Sequence, residues 1–479
     1  MRINQKQINT VHFIGIGGIG MSGLAQFFKW VGHEVSGSDR ALNNPENKEL
    51  FEKLATQGIK LYAQDGSYAG NQQTDILVYS TAIEEENPDF RAGTGLPRWH
   101  RAEALAFLNE TLQNKISIAV TGSCGKTSVT AWIGEVLTNL GFDPVVLNGG
   151  MINSFKTEEF FGNFKPGNGK FFVFEADESD KSLVAFTPEY SMILNIATDH
   201  CSKEELIEVF EKFLKNTKKG AVIEKQVYEQ LNPESYKHLR VFQFSSDAEY
   251  REGRAWILKN YCLQNGTSKA WCTKKGKNIE LNLPAPGIHN AVNALSILAL
   301  TDLLELENSY SEIVDSVEHF KGVHRRFEYV GETRRGAKVY DDYAHNVEKI
   351  ASAIGAAQEI VSSRIFAVFQ PHGYGPLNFM KAELFPNLEK ILRKEDCFVF
   401  MPVYYAGGTS SFSPKSSLVC EEYELKSAVD GRYLTFDSRN DAGKYLVSTS
   451  DKNDIILIMG ARDGSLSIWA SELIQSINE

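Results

Sequence analysis

The stretch Val11–Ala25, VHFIGIGGIGMSGLA, decides how the chain begins. The apolar run Val11–Ile16 has the length and composition of a buried strand, and a helical pattern occupies Met21–Val31. Between them Gly15-Ile16-Gly17-Gly18-Ile19-Gly20 spells GxGxxG, and Asp39 stands 19 residues beyond Gly20 at the end of the next apolar run. Glycines allow a backbone to approach a pyrophosphate closely, and the helix N-terminus behind them supplies amides and partial positive charge. The loop therefore reads as a diphosphate site. NAD, FAD and a UDP-sugar all present that group, so the nucleotide stays open at this point. A glycine turn serving only helix–strand packing is the plainer alternative, and it leaves the ordered strand, turn, helix and acid without a common reason.

Working outward, strand-like runs at Glu34–Ser36, Ile59–Tyr62 and Asp75–Tyr79 alternate with helical patterns such as Asn47–Thr56, which predicts an α/β domain with a mainly parallel sheet. A second βα start at Ile116–Val120 opens another domain near residue 113. It continues through strands Phe171–Phe174 and Met192–Ile196, a helix over Lys203–Asn216 and a strand near Ala221–Glu224. Short alternating runs between about 238 and 283 predict an antiparallel β insertion, closed by Pro284 and Pro286 before an amphipathic helix from about His289 to Leu304. A third βα section carries strands near Lys338–Asp342, Ile365–Gln370, Cys397–Pro402 and Ile455–Met459. The expected organisation is α/β in three domains, 1–112, 113–325 and 326–479, which suits 479 residues at roughly 150 per domain.

Composition excludes several classes. With 42% hydrophobic and 23% charged residues the chain is an ordinary globular one. Its 50 basic against 61 acidic residues give a net charge of −11, which lacks the basic field of a non-specific nucleic-acid binder. The N-terminal MRINQKQINT is polar and the apolar run after it is broken by five glycines, so neither a signal peptide nor a membrane span is expected, and the location is expected to be cytoplasmic. Six scattered cysteines without a CxxC pair are expected to be free thiols rather than zinc ligands.

A second glycine loop, Thr121-Gly122-Ser123-Cys124-Gly125-Lys126-Thr127-Ser128, also sits between a strand and a helix. Its amides would cradle ATP phosphates, Lys126 would reach the β- and γ-phosphates, and the Thr127 hydroxyl would be available to Mg²⁺. Val120 occupies the first glycine position of the full GxxxxGK[ST] spacing. Farther on, Glu175-Ala176-Asp177-Glu178-Ser179-Asp180 gathers four acids at a strand end, where they repel unless screened. A Mg²⁺ ion opposite the phosphate loop would do that, with Glu175 as leading ligand, and His200 at another strand end is a candidate for a second ion. A solvated acidic turn and a hydrogen-bonded core histidine are the alternatives. Asn290 and Asn293 lie three apart on one helix face, where carboxamides suit an adenine edge, although Asn290 also fits a helix cap. His324-Arg325-Arg326-Phe327 puts guanidinium groups at the domain joint, where one could stabilise a transferring phosphoryl group.

In this order the segments resemble the Mur ligases of peptidoglycan synthesis, most nearly the alanine-adding branch. HFIGIGGIGMSGLA, VSGSD, STAI, TGSCGKTS, EADESD, NIATDH, GIHNAVNA, RRFE, YDDYAHN, FQPH, YYAGG and MGARD carry the likeness along nearly the whole chain. The resemblance implies a Rossmann-like UDP-binding domain, a central ATPase domain and a C-terminal Rossmann-like domain. It implies that ATP phosphorylates the lactyl carboxylate of UDP-N-acetylmuramate with two Mg²⁺ ions, and that an amino acid attacks the acyl phosphate. Gly17, Gly18, Ile19 and Gly20 then face the UDP pyrophosphate, with Ser38, Asp39, Ser80 and Thr81 on the uridine side. Gly122 to Ser128 with Lys126 hold ATP, Thr127, Glu175 and His200 hold metal, Asn290 and Asn293 touch adenine, and Arg326 is the interdomain arginine. Asp342, His345 and His372 match segments facing nucleotide and amino acid.

The chain departs from the family in two informative places. Cys124 replaces a histidine of the phosphate loop. Where the family reads FQPHRYSR, this chain has Phe369-Gln370-Pro371-His372-Gly373-Tyr374-Gly375-Pro376, so Gly373 and Pro376 replace two arginines suited to the amino acid's carboxylate. A carboxylate in a closed site needs a cationic or strongly hydrogen-bonding partner, and Arg462 is the candidate replacement, against a plain surface pair of Arg462 with Asp463. The alternatives are a related ligase adding another amino acid or a recycled peptide, and a non-catalytic UDP-muramyl-binding protein. A NAD(P)-dependent oxidoreductase explains only the first loop and Asp39.

Overall fold

The computed structural model describes residues 8–71, 73–112, 114–178, 182–196, 202–251, 253–264, 267–306, 308–405 and 412–475. They form a mixed α/β protein with three sheets. Two compact units are distinguished, one of Met1–Tyr261, Lys269–Pro284 and His289–His324, the other of Cys262–Ser268, Ala285–Ile288 and Arg325–Glu479. Among the described residues no helix is long and apolar enough to cross a membrane, and Cys124, Cys262, Cys272, Cys397 and Cys420 are free thiols.

The first unit begins with a five-stranded parallel sheet in the order Lys60–Ala63, Glu34–Asp39, Thr10–Ile14, Ile76–Tyr79, Arg98–His100. Thr10–Ile14 is central and its apolar residues are wholly buried, as expected of a strand covered on both faces. The order reverses on either side of this strand, and the crevice at such a switch point is where open α/β sheets bind ligands. The GxGxxG loop and the Ser80-Thr81 segment both emerge there.

The same unit carries a ten-stranded sheet whose parallel centre runs Gly220–Glu224, Tyr190–Ile193, Ile116–Thr121, Phe171–Glu175 and Val145–Leu147. The expected β insertion takes a different form. Arg240–Ser245 joins this sheet parallel to Gly220–Glu224, and Ala255–Gln264 joins parallel to Arg240–Ser245, before Thr267–Lys274 and Lys277–Leu283 extend the edge. Alternating hydrophobicity predicts a half-buried strand but not its direction: Arg240–Ser245 follows a short helical crossover, whereas Ala255–Gln264 follows a connection with no helix among the described residues. Lys275 and Gly276, both with positive φ, make the two-residue turn between the last two strands.

Helices cover these sheets for reasons visible in their sequences. Lys203–Asn216 starts at Ser202 with a reciprocal cap from Glu205 and buries Leu206, Val209, Phe210, Phe213 and Leu214 along one stripe. Ile288–Leu304, expected to be amphipathic, is instead buried around most of its circumference. Its buried residues share one core with sheet residues such as Val222 and Trp256 and with Ile313 and Val317 of the next helix.

The second unit holds a six-stranded sheet in the order Glu328–Glu332, Lys338–Asp342, Ile455–Gly460, Ile365–Gln370, Cys397–Phe400, Tyr433–Thr435, with only the first pairing antiparallel. Registers of Asp342 with Met459 and Gln370 with Gly460 bring the carboxyl ends of three central strands to one edge. His345, Arg462 and His372 follow those three ends in the chain.

Candidate functional site

The first glycine loop is held open by its own backbone. Gly15 and Ile16 donate to the Ser38 carbonyl at 2.8 and 3.0 Å, and Gly18 caps the helix Ile19–Trp30 without any side-chain acceptor. Asp39 accepts from the amides of Gly17 and Ala41, both at 2.8 Å, so its carboxylate fixes the loop. A β-carbon at Gly17 would stand 2.8 Å from that carboxylate and 2.9 Å from the Phe51 ring, and only glycine fits. Ser80 is half-buried and Thr81 exposed at the neighbouring strand end. Ser38 differs from the expectation of a ligand contact: its side chain is fully buried and its hydroxyl donates to the buried Asp89 carboxylate. The strand alternation that turns Ser38 inward leaves only its backbone to serve the loop.

The second loop is built on Gly122 at φ 136° and Gly125 at φ 86°, conformations that favour glycine. Asn195, which sequence reasoning left without a role, clamps it in both directions. Its Oδ1 accepts from the Cys124 amide at 2.8 Å and its Nδ2 donates to the Cys124 carbonyl at 2.9 Å. Asn293 is buried, and its Oδ1 stands 3.1 Å from where a Gly125 β-carbon would be, so it lies directly against the loop; Asn290 is half-buried one turn earlier. Ser123 and Thr127 are buried, while Cys124 and Ser128 are half-buried.

Lys126 donates to the Gly122 carbonyl at 2.9 Å and to Glu178 at 2.7 Å, with Asp177 at 3.7 Å. Burial opposes its charge, but Glu178, Asp177 and Glu175 together outweigh burial and raise its pKa, so the ammonium is retained. Burial pushes the Glu178 carboxyl up, partly offset by Lys126. Counter-charge at the acidic strand end thus comes from protein cations: Lys126 on one side and Arg101, 2.7 Å from Asp177, on the other. Glu175 accepts from the Gly149 amide at 2.9 Å. A β-carbon at Gly149 would fall 2.4 Å from Glu175 and one at Gly150 2.8 Å from Thr127, so adjacent glycines lie against both side chains. Among the described residues no three His, Cys, Asp or Glu side chains gather to hold a metal ion, and His200 lies outside the described residues.

The second unit assembles the remaining candidates. Of the two adjacent arginines, Arg325 is buried, with Asp341 at 3.1 Å and the carbonyls of Asp463 and Gly460 at 2.9 and 2.8 Å. Arg325 and Phe327 both have positive φ, at 58° and 49°, a strained path for non-glycine residues that those buried contacts hold in place. Arg326 is half-buried, with its guanidinium 5.2 Å from the Tyr343 ring centre. Asp342 accepts from the amides of Phe327 and Ala344, both at 2.7 Å. Burial raises its carboxyl to about 6, with Arg326 and the two amides pulling the other way.

His345 is pushed down to about 3 by burial first, then by Lys349, His372 and Arg326. Its Nδ1 lies 2.8 Å from the Tyr343 carbonyl, which can only accept, so the neutral ring carries its proton there. The His372 ring stands edge-on to it at 5.2 Å. A ring this weakly basic is a poor acceptor for a proton from an ammonium group. Arg462 is exposed at φ 66°, and the plain alternative of its pairing with Asp463 is not what forms, because Asp463 is engaged by Arg439, Gln370 and Ser465. Sequence reasoning missed Asn195, Arg101 and the pairing roles of Asp177 and Glu178. Asn195 and the acids stood inside quoted motifs, whereas Arg101 carried no spacing signal.

Comparison with known proteins gives three successive matches: the Mur ligase family catalytic domain over residues 10–111, the Mur ligase middle domain over 120–301, and the Mur ligase glutamate ligase domain over 325–462. A UDP-N-acetylmuramate–L-alanine ligase of Sulfurihydrogenibium sp. (strain YO3AOP1) is 33% identical over 485 residues, covering 99% of each chain. The crystal structure of the UDP-N-acetylmuramate–alanine ligase of Thermotoga maritima superposes with a TM-score of 0.76 at 27% identity, covering 98% of each chain. The fold is shared with a murein peptide ligase of Psychrobacter arcticus, at a TM-score of 0.68 and 20% identity over 98% of each chain. With two phosphate-type loops in one unit and end-to-end similarity to such enzymes, the chain belongs to the Mur ligase family.

Proposed function

We propose that this chain joins L-alanine to the lactyl carboxylate of UDP-N-acetylmuramate, with cleavage of ATP to ADP and phosphate, as a cytoplasmic step of peptidoglycan precursor synthesis. The observation that carries the reading is the half-buried Lys126 on the second loop, 2.7 Å from Glu178 and 3.7 Å from Asp177, in the same unit as the diphosphate loop. The full-length similarity to alanine-adding ligases supports the choice of substrates. In this reading the domains are 1–112 for the UDP-sugar, 113–325 for ATP and 326–479 for the amino acid.

A lactyl carboxylate oxygen attacks the γ-phosphorus and ADP leaves, giving an acyl phosphate. The amine then attacks the acyl carbon, phosphate departs, and the nitrogen loses its proton as the amide forms. Gly17 to Gly20 present the diphosphate amides, with Asp39, Ser80 and Thr81 beside them. Gly122 to Ser128 hold the ATP phosphates, Lys126 neutralises charge on the transferring group, and Asn290 and Asn293 meet adenine. Thr127 and Glu175 are oxygen donors of the kind Mg²⁺ takes, bracketed by Gly149 and Gly150, and His200 completes the proposed ligand set. Held by these residues, Mg²⁺ would supply charge neutralisation for the transferring phosphoryl group. The family resemblance gives Arg326, Asp342, His345 and His372 roles toward nucleotide and amino acid, and the exposed Arg462 would take the amino acid's carboxylate in place of the arginines absent at Gly373 and Pro376.

The test is phosphate release with ATP, Mg²⁺ and UDP-N-acetylmuramate against a panel of L-amino acids, glycine and the murein tripeptide, with mass spectrometry of the product. The expected product is UDP-N-acetylmuramoyl-L-alanine, with turnover abolished in Lys126→Ala. A tripeptide adduct, or no turnover with intact UDP-sugar binding, overturns the assignment.

A further inference from the structure

Arg101 has no role in the reaction as described so far. It opens the helix Arg101–Thr111, and its guanidinium leaves the capping contacts of that helix to His100 and Glu103. One nitrogen, Nη1, stands 3.3 Å from where a Gly20 β-carbon would be, against the first turn of the diphosphate-loop helix. The other, Nη2, donates to Asp177 Oδ2 at 2.7 Å. Asp177 turns its second oxygen toward Lys126 of the ATP loop, 3.7 Å away. A cavity of about 70 Å³ opens at this place, lined among others by Gly20, Arg101, Gly149, Glu175 and Asp177. A cation, a helix N-terminus free of side-chain caps and a solvent-accessible cavity therefore meet between the two phosphate loops.

We propose that Arg101 is a substrate-binding residue of the ligase, taking an anionic group of the UDP-muramyl substrate in exchange for Asp177. Arg101 and Asp177 are each about one-third exposed, so a ligand can reach the pair without unfolding it. The ion pair holds the guanidinium beside the diphosphate loop before substrate arrives. When the substrate's anion takes over Arg101, Asp177 loses its nearer cation. The charge-assisted hydrogen bonds a guanidinium makes to phosphate or carboxylate are the strong kind. Asp177 competes with the substrate for Arg101, so removing its charge strengthens substrate binding while removing Arg101 weakens it.

This inference rests on the proposed UDP-muramyl substrate, and binding is measured apart from turnover so that the two fail separately. Isothermal titration without ATP, using UDP, UDP-N-acetylglucosamine and UDP-N-acetylmuramate, is run on the wild type, Arg101→Ala, Arg101→Lys and Asp177→Asn. Loss of a charge-assisted contact predicts UDP-N-acetylmuramate affinity falling about 10- to 100-fold in Arg101→Ala. Arg101→Lys should recover part of that loss. Asp177→Asn should bind several-fold more tightly, roughly the effect of removing one competing carboxylate. An equal fall for all three nucleotides assigns Arg101 to the diphosphate, and a fall confined to UDP-N-acetylmuramate assigns it to the lactyl carboxylate. Unchanged affinities in Arg101→Ala, or a loss in Asp177→Asn as large as in Arg101→Ala, overturn the proposal, because a purely structural ion pair makes both variants alike. Failure of the wild type to bind UDP-N-acetylmuramate would instead count against the substrate assignment itself.

Discussion

Replacing Asn195 by alanine should damage ATP binding and leave the UDP-sugar site intact. The carboxamide makes two hydrogen bonds to the same residue, accepting from the Cys124 amide at 2.8 Å and donating to its carbonyl at 2.9 Å. Both Cys124 groups sit at the turn of a loop whose Gly122 and Gly125 have positive φ, so the clamp selects one arrangement of amides from several. At about 1 kcal/mol net per bond, with a further penalty if either backbone group is left unsatisfied, the loss is roughly 2–3 kcal/mol. Since about 1.4 kcal/mol is tenfold, the ATP dissociation constant should rise about 30- to 150-fold. Calorimetric titration with a non-hydrolysable ATP analogue measures this, and titration with UDP-N-acetylmuramate is the control. Asn195→Asp keeps the acceptor for the Cys124 amide but sets a carboxylate oxygen against the Cys124 carbonyl, and should bind ATP no better than the alanine variant. ATP affinity within threefold of wild type in a folded Asn195→Ala protein would refute the clamp, as would an equal loss of UDP-sugar binding.

The two neighbouring arginines should separate cleanly: Arg325→Ala strands the buried Asp341 and should cost about 3–5 kcal/mol in denaturant unfolding, whereas Arg326→Ala should keep stability within about 1 kcal/mol and lower turnover by about 10³. Because the folded pKa of His345, about 3, lies below its ordinary 6.5, the neutral ring's contribution to stability is complete above pH 6.5 and is lost as pH falls toward 3. By pH 5 this amounts to roughly 2 kcal/mol. The His345 ring proton resonance should accordingly show no titration between pH 5 and 8, and a midpoint near 6.5 would refute its burial as a neutral base. Asp342, raised to about 6, should show a carboxyl carbon titration near that pH, and the corresponding step should vanish in Asp342→Asn. Ser38→Ala removes the hydroxyl donated to buried Asp89 and should destabilise the first unit by about 1–3 kcal/mol, with UDP-sugar affinity unchanged if its side chain indeed faces inward.

Sequence alone is enough for the α/β class, both phosphate-type loops and the strand ends at which acids and histidines collect. These are local matters: hydrophobic period, and glycines where backbone must turn or approach closely. It did not determine that Arg240–Ser245 and Ala255–Gln264 would join the central sheet in parallel, since alternation carries no strand direction. Nor did it determine which way Ser38 faces, which of Arg325 and Arg326 is buried, or that Asn195, 71 residues from Cys124, clamps the phosphate loop. The acids of Glu175–Glu178 look alike in sequence, yet in space Glu175 meets a backbone amide, Asp177 bridges Arg101 and Lys126, and Glu178 is buried against Lys126. Each of these depends on the one partner that distant parts of the chain bring within hydrogen-bonding reach, and only the tertiary structure decides that partner.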